Sequence, residues 1–188
     1  MLGDEKSARL VTALSEMLQY TLEPVQRLTT LQDEMTQIDH YLQIQQARYQ
    51  EALSIEISIP AKLLRCQVIR LLLQPIVENV FVHAFSDKRD NRRLQIRGLQ
   101  QLGHETETDM LIIEIADNGC GMDGAVIERQ HIGIRSVLRR IELIHGEPYG
   151  VQIESAVGEG TLVRLRLPYQ IGAGTMPGNA DDREEQVL

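Results

Sequence analysis

Apolar residues recur along this chain at two periods, and the points where the period switches mark out its elements. From Ser7 to Thr21, Leu10, Val11, Leu14, Met17 and Leu18 fall at helical spacing and predict an amphipathic helix that ends at Glu23-Pro24. Thr30 and Asp33 form a capping-box pattern, with Asp in place of Glu, that opens a second helix through Met35, Ile38, Leu42, Gln45 and Tyr49. These steps of three and four suit a helical hairpin or a bundle seam, but an apolar stripe does not say whether its partner is the same domain or a second copy. After Ala52 the period drops to two. Ile55, Ile57 and Ile59 alternate with Ser54, Glu56 and Ser58, the pattern of a half-buried strand stopped by Pro60. Lys62 to Leu73 is expected as a short helical or irregular lead-in.

The next stretch, Leu71 to Phe85, has the most unusual chemistry. Pro75 fits the first position of a helix, where its missing amide proton costs nothing, and Ile76, Val77, Val80 and Phe81 supply a buried face. Glu78, Asn79 and His83 are polar residues set into that apolar helix, and such groups are expensive unless something bonds to them. Asn79 and His83 stand one turn apart, so an amide oxygen and an imidazole face a ligand together.

Beyond the polar connection Ser86 to Arg93, the segments Leu94–Leu99 and Met110–Asp117 read as strands joined by a polar loop, Gln101 to Asp109. A glycine-interrupted tract, Asn118 to Gln130, follows. A third amphipathic helix then carries Ile134, Val137, Leu138, Ile141 and Ile144, with Gly146 as its C-terminal cap. Gly150–Ala156 and Thr161–Leu167 are the last two strands, separated by a Gly158-Glu159-Gly160 turn. From Tyr169 onward the composition predicts a disordered tail. Consecutive strands at two places point to an α+β fold: a two-layer α/β sandwich with a mixed sheet, helices on one side, preceded by a helical hairpin.

Side-chain parity sharpens the chemistry. Asp117 shares a face with Leu111, Ile113 and Ile115, and Thr161 with Val163, Leu165 and Leu167, so an acid and a hydroxyl stand at strand ends on the helix-facing side. A carboxylate there accepts from an amino group, and a purine exocyclic amine is a fitting guest. Asp117-Asn118-Gly119 alone also reads as an ordinary turn. Gly119, Gly121 and Gly124 directly after the acid, and Gly133 at a helix start suited to phosphate, weigh for a ligand site. Asn79 could give a divalent ion an amide oxygen.

Composition narrows the classes. The chain has 188 residues, 43% hydrophobic and 24% charged, enough for one domain with a sizeable core plus an extra helical element. Nineteen basic against 27 acidic residues give 19 − 27 = −8, and there are only two Phe, five Tyr and no Trp, which excludes nucleic acid as a partner. Cys66 and Cys120 have no metal-type spacing and read as free thiols of a reducing cytosol. No apolar run approaches the roughly 20 residues that span a bilayer.

Taken together, Glu78-Asn79-x-x-x-His83, Asp117-x-Gly119-x-Gly121, Ile132-Gly133-Ile134 and Gly158-x-Gly160-Thr161 resemble the Bergerat-type ATP-binding domain shared by histidine kinases, type II topoisomerases, Hsp90 and MutL. Leu73 to Asn79, the lead-in Tyr41-Leu42-x-Ile44-Gln45-x-x-Arg48-Tyr49, and Gly146 to Gly150 resemble the LytS/YesM-type sensor histidine kinases, over about Ala8 to Pro168. The resemblance implies a helical dimerisation-type segment over 1–52, an ATP-binding catalytic domain over 53–168 and a tail over 169–188. It implies ATP and Mg²⁺ as cofactors, with Asn79 as metal ligand, His83 near the phosphates, and Asp117 on the adenine amino group with Thr161 beside it. Gly119, Gly121, Gly133, Ile134 and Gly160 would follow the nucleotide, 118–130 would be a mobile lid, and Glu78 would orient a nucleophile or act as the catalytic base. Implied partners are a second copy of the chain and the receiver domain of a response regulator.

Two departures stand out. His131 replaces the first glycine of the family's second glycine motif, and no His-Phe-Leu-Phe/Tyr-Asn acceptor segment precedes the first helix. His40, His104 and His145 do not fit that segment, and His40 is expected as an exposed helical residue. The chain is therefore expected to be the cytoplasmic fragment of a larger, membrane-anchored receptor whose phosphoacceptor lies elsewhere. The alternatives are a nucleotide-binding or dimerisation module without transfer activity, and an anti-sigma-type serine kinase.

Overall fold

The computed structural model describes residues 2–22, 28–86, 90–103, 108–123 and 132–172. Helices α1 (Leu2–Leu22) and α2 (Leu31–Tyr49) come first, with a three-residue strand β1 (Leu28–Thr30) between them. The capping box at the start of α2 is formed: Thr30 Oγ1 accepts from the Asp33 amide at 3.1 Å, and the Asp33 carboxylate accepts from the Thr30 amide at 3.1 Å. Strand β2 (Leu53–Ser58) follows, then a 3-10 turn (Ala61–Arg65), strand β3 (Gln67–Ile69) and a short helix α3 (Gln74–Asn79). The second half holds β4 (Arg92–Gln101), β5 (Met110–Asp117), α4 (Ile132–His145), β6 (Gly150–Ala156) and β7 (Gly160–Pro168).

The main sheet runs β2-β4-β5-β7-β6, parallel between β2 and β4 and antiparallel elsewhere, so it is the mixed sheet the strand order predicts. One face carries Leu94, Ile96, Leu111, Ile113, Ile115, Val163, Leu165 and Leu167 into a core completed by α2, α3 and α4. On the other face Arg164 bridges Glu114 at 2.8 Å and Glu154 at 3.1 Å, a charged ladder across three strands. Edge strand β2 keeps Leu53 buried and leaves Ile57 exposed, so its alternation fades toward Pro60.

The structure corrects the sequence reading at several places. The irregular lead-in contains β3, which pairs antiparallel with β1. Residues 169–172 are not loose: Gln67 N donates to Gln170 O at 2.7 Å, Ile171 bridges Cys66, and Tyr169 packs on the core. Leu31, Met35, Ile38 and Leu42 of α2 join the same core as Leu72, Leu73 and the sheet. His40 is half-buried rather than exposed, its Nε2 2.9 Å from Glu16 Oε2 on α1. The expected lid residues 124–130, His104, His131 and the tail from 173 onward lie outside the described residues. Among the described residues no helix is long and apolar enough to cross a membrane.

Candidate active site

A cleft opens between α3, the start of α4 and the ends of β5 and β7. Ile76, Asn79, Val80, His83, Ala84, Ile115, Asp117, Cys120, Gly121, Met122, Ile134, Thr161 and Val163 line it, so groups far apart in sequence meet at one apolar-walled pocket.

The Asn79–His83 wall is not the continuous α-helix that the spacing predicts. After Asn79 the chain widens into a π-turn, Val80–Ala84. Aromatic packing accounts for its anchorage: Phe81 meets Tyr41 edge-on at 5.6 Å, stacks on Tyr49 at 6.0 Å and meets Phe85 at 5.5 Å. Asn79 and His83 still reach the same pocket. The Asn79 amide nitrogen is buried and has no hydrogen-bond partner among the described residues.

Across the cleft, register places Asp117 of β5 directly opposite Thr161 of β7. Asp117 Oδ1 accepts from the Gly119 amide at 2.8 Å. Burial pushes the Asp117 carboxyl up to about 6, against the pull of hydrogen bonds from the backbone at Gly119 and Thr161. Glycine is required where the loop after Asp117 folds back. Gly121 lies at φ +61 with Ala156 O where a Cβ would stand, and Gly160 at φ +102 with Asp117 O in the same position. Gly133, at the start of α4, faces Asn79, where a Cβ would come 3.3 Å from Nδ2.

Glu78 does not line the cleft. It accepts from Gln74 Nε2 at 2.8 Å and lies toward α2, where burial and then the Glu78 charge push the Tyr41 hydroxyl up to about 12. Ser155 escaped the sequence reading. Its Oγ accepts from the Met122 amide at 2.9 Å, donates to Gly160 O at 2.8 Å and sits 2.9 Å from Thr161 Oγ1, tying the loop to the β6–β7 turn. The hairpin register, which sets Ser155 against Thr161, is the signal that would have found it.

The residues present fit Mg-ATP. Among the described residues no cluster of acids, His or Cys could cage a metal ion. One amide at Asn79, facing the N-terminus of α4, instead suits an ion held mainly by phosphate oxygens.

Comparisons with known proteins agree on one family. The family model described as histidine kinase matches residues 1–53. The chain is 32% identical over 166 residues to the sensor histidine kinase BtsS of Escherichia coli K12, covering 88% of this chain and 28% of that protein. It is 29% identical over 164 residues to the sensor histidine kinase YesM of Bacillus subtilis, covering 86% and 27% respectively. The chain thus spans little more than a quarter of these relatives. Among solved structures, the histidine kinase domain of the blue-light activated histidine kinase from Erythrobacter litoralis EL346 superposes with a TM-score of 0.57 at 19% identity, over 87% of this chain and 75% of that one. Histidine kinase ThkA in complex with response regulator protein TrrA gives 0.54 at 15% identity, over 91% and 50%. These structures share the fold.

Proposed function

This chain is a relative of the LytS/YesM-type sensor histidine kinases, and on that footing we propose that it is the ATP-binding kinase core of such a sensor, transferring the γ-phosphoryl group of Mg-ATP to a histidine outside these 188 residues. The observation that carries this reading is the convergence of Asn79, Asp117 and Thr161, from three distant stretches, on one cleft.

The Asp117 carboxylate accepts from the adenine amino group, with Thr161 beside it. Asn79 would give its amide oxygen to Mg²⁺, and the amides at the start of α4 would face the phosphates. Mg-ATP supplies the phosphoryl group and neutralises its charge, so the protein's share is mainly positioning. An imidazole nitrogen of the acceptor forms the N–P bond while the bond from Pγ to the bridging oxygen breaks, and ADP leaves with the electron pair. Glu78, held by Gln74 outside the cleft, would have to turn toward it to orient that imidazole and receive its proton. The acceptor lies outside these 188 residues, and a response regulator receiver domain takes the phosphoryl group on. The exposed seam of α1, Val11, Leu14, Leu18 and Leu22, suits a second copy of the helix pair, and the whole is the cytoplasmic part of a membrane-anchored receptor.

Mg-ATP binding to the Asn79→Ala and Asp117→Asn variants tests the site, with about tenfold or greater weakening expected for each. If both bind as the parent does, the assignment fails. Affinity should also fall as pH drops through about 6, where Asp117 gains its proton and can no longer accept, and Asp117→Asn should flatten that profile. Radiolabel transfer from ATP to a supplied acceptor-histidine segment tests the chemistry. ATP binding without transfer would favour a nucleotide-binding module.

A further inference from the structure

Glu34 is, at 1% exposed, the least exposed charged residue described, and the chemistry above does not use it. Its carboxylate is filled by four donors. Oε1 accepts from Leu71 N at 2.7 Å and from the Tyr20 hydroxyl at 2.6 Å, while Oε2 accepts from Leu72 N at 2.9 Å and Leu73 N at 3.1 Å. Three successive amides aimed at one anion form a nest, and the turn that makes it holds Leu71 at φ +53, a left-handed conformation rare for a leucine. Arg140 of α4 grips the same turn from the other side, donating to Arg70 O at 2.9 Å and Leu71 O at 2.8 Å.

This turn is the root of α3. Ile76 N and Val77 N both donate to Leu73 O, and Asn79 closes the helix that begins there. On its far side the turn meets the end of α1: the Arg70 guanidinium lies 3.5 Å over the Tyr20 ring and donates to Tyr20 O. Four elements, α1, α2, α3 and α4, therefore meet at one carboxylate and one left-handed turn.

We propose that Glu34 is a positioning residue for the nucleotide site: it fixes the 70–73 turn, and through α3 it sets where Asn79 stands, with Tyr20 making that placement depend on α1. A purely structural filler would not need a carboxyl group met by four donors. Paired buried charges are often neutral or worse for stability compared with apolar side chains of the same size, whereas removing one partner strands the others. The inference rests on the reading of Asn79 as the residue at the metal and phosphate end.

Two ligands separate the ends of the site. Adenosine engages the Asp117 and Thr161 end alone, whereas Mg-ATP also needs Asn79. In the 188-residue chain, Glu34→Gln keeps the shape but turns an amide donor toward the nest. It should weaken Mg-ATP by about tenfold and leave adenosine within about twofold, with Tyr20→Phe giving the same pattern at about threefold. Tyr20→Phe removes one of the four bonds and decides the matter if Glu34→Gln melts out. Equal loss for both ligands, or no loss of Mg-ATP affinity, overturns the proposal. Asn79→Ala, measured alongside, locates a failure: if it leaves Mg-ATP binding intact, the site reading falls and this inference falls with it. If it weakens Mg-ATP while the Glu34 and Tyr20 variants do not, this inference alone is wrong.

Discussion

Helix α2 sinks Leu31, Met35, Ile38 and Leu42 into the core, whereas its neighbour α1 leaves Val11, Leu14, Leu18 and Leu22 between 51% and 85% exposed. Both helices carry apolar residues at the same spacing. The difference lies in which face meets a partner. On α1 the inward seam is Ala13, fully buried, with half-buried Leu10, Met17 and Tyr20, and this seam rests on α2. The stronger apolar stripe beside it stays exposed. Period establishes that a helix has an apolar side, but only the surrounding volumes decide what that side touches.

Three substitutions would break or sharpen the contrast. Ile38→Ala, at a position with no exposure, should cost about 2–5 kcal/mol in denaturant unfolding. A cost below about 1 kcal/mol would mean that α2 is not part of the shared core. Ala13→Leu should force α1 off α2 and cost about 1–3 kcal/mol, with looser packing of Tyr20 visible in its ring NMR signals. Leu18→Ser should leave the unfolding free energy of the monomer within about 0.5 kcal/mol while abolishing concentration-dependent self-association in sedimentation. Were Leu18→Ser to destabilise the monomer as much as Ile38→Ala, the seam would belong to this chain's own fold.

Much of the fold was legible because its longer strands and α4 carry clean periods, and parity correctly turned Asp117 and Thr161 toward the helices. Three-residue strands such as β1 and β3 are too short to show alternation, and their partners lie far away in sequence. The π-turn was hidden because residues four apart remain on one side in either kind of turn, so Asn79 and His83 were placed together for a reason that is only roughly right. Glu34 stands in the first turn of a capped helix, and nothing in a local pattern shows that distant amides will close on it. Glu78 illustrates the opposite limit: the motif put it beside Asn79, but adjacent positions on a helix point in different directions.

The pairing of Cys66 and Gln67 with residues 170 and 171 also bears on the order of events in folding. These contacts join opposite halves of the sequence, so their formation waits until the intervening chain has been gathered in, while β4–β5 and β6–β7 are closed by short connections. On the ribosome, residues 170 and 171, which cover the other edge of β3 from the one that β1 pairs, emerge after every strand of the main sheet. Pulse-labelled hydrogen exchange should accordingly find the Gln67 amide protected later than the amides of β5. Until then the small β1–β3 ribbon has a free edge, a time in which a competing strand could occupy it.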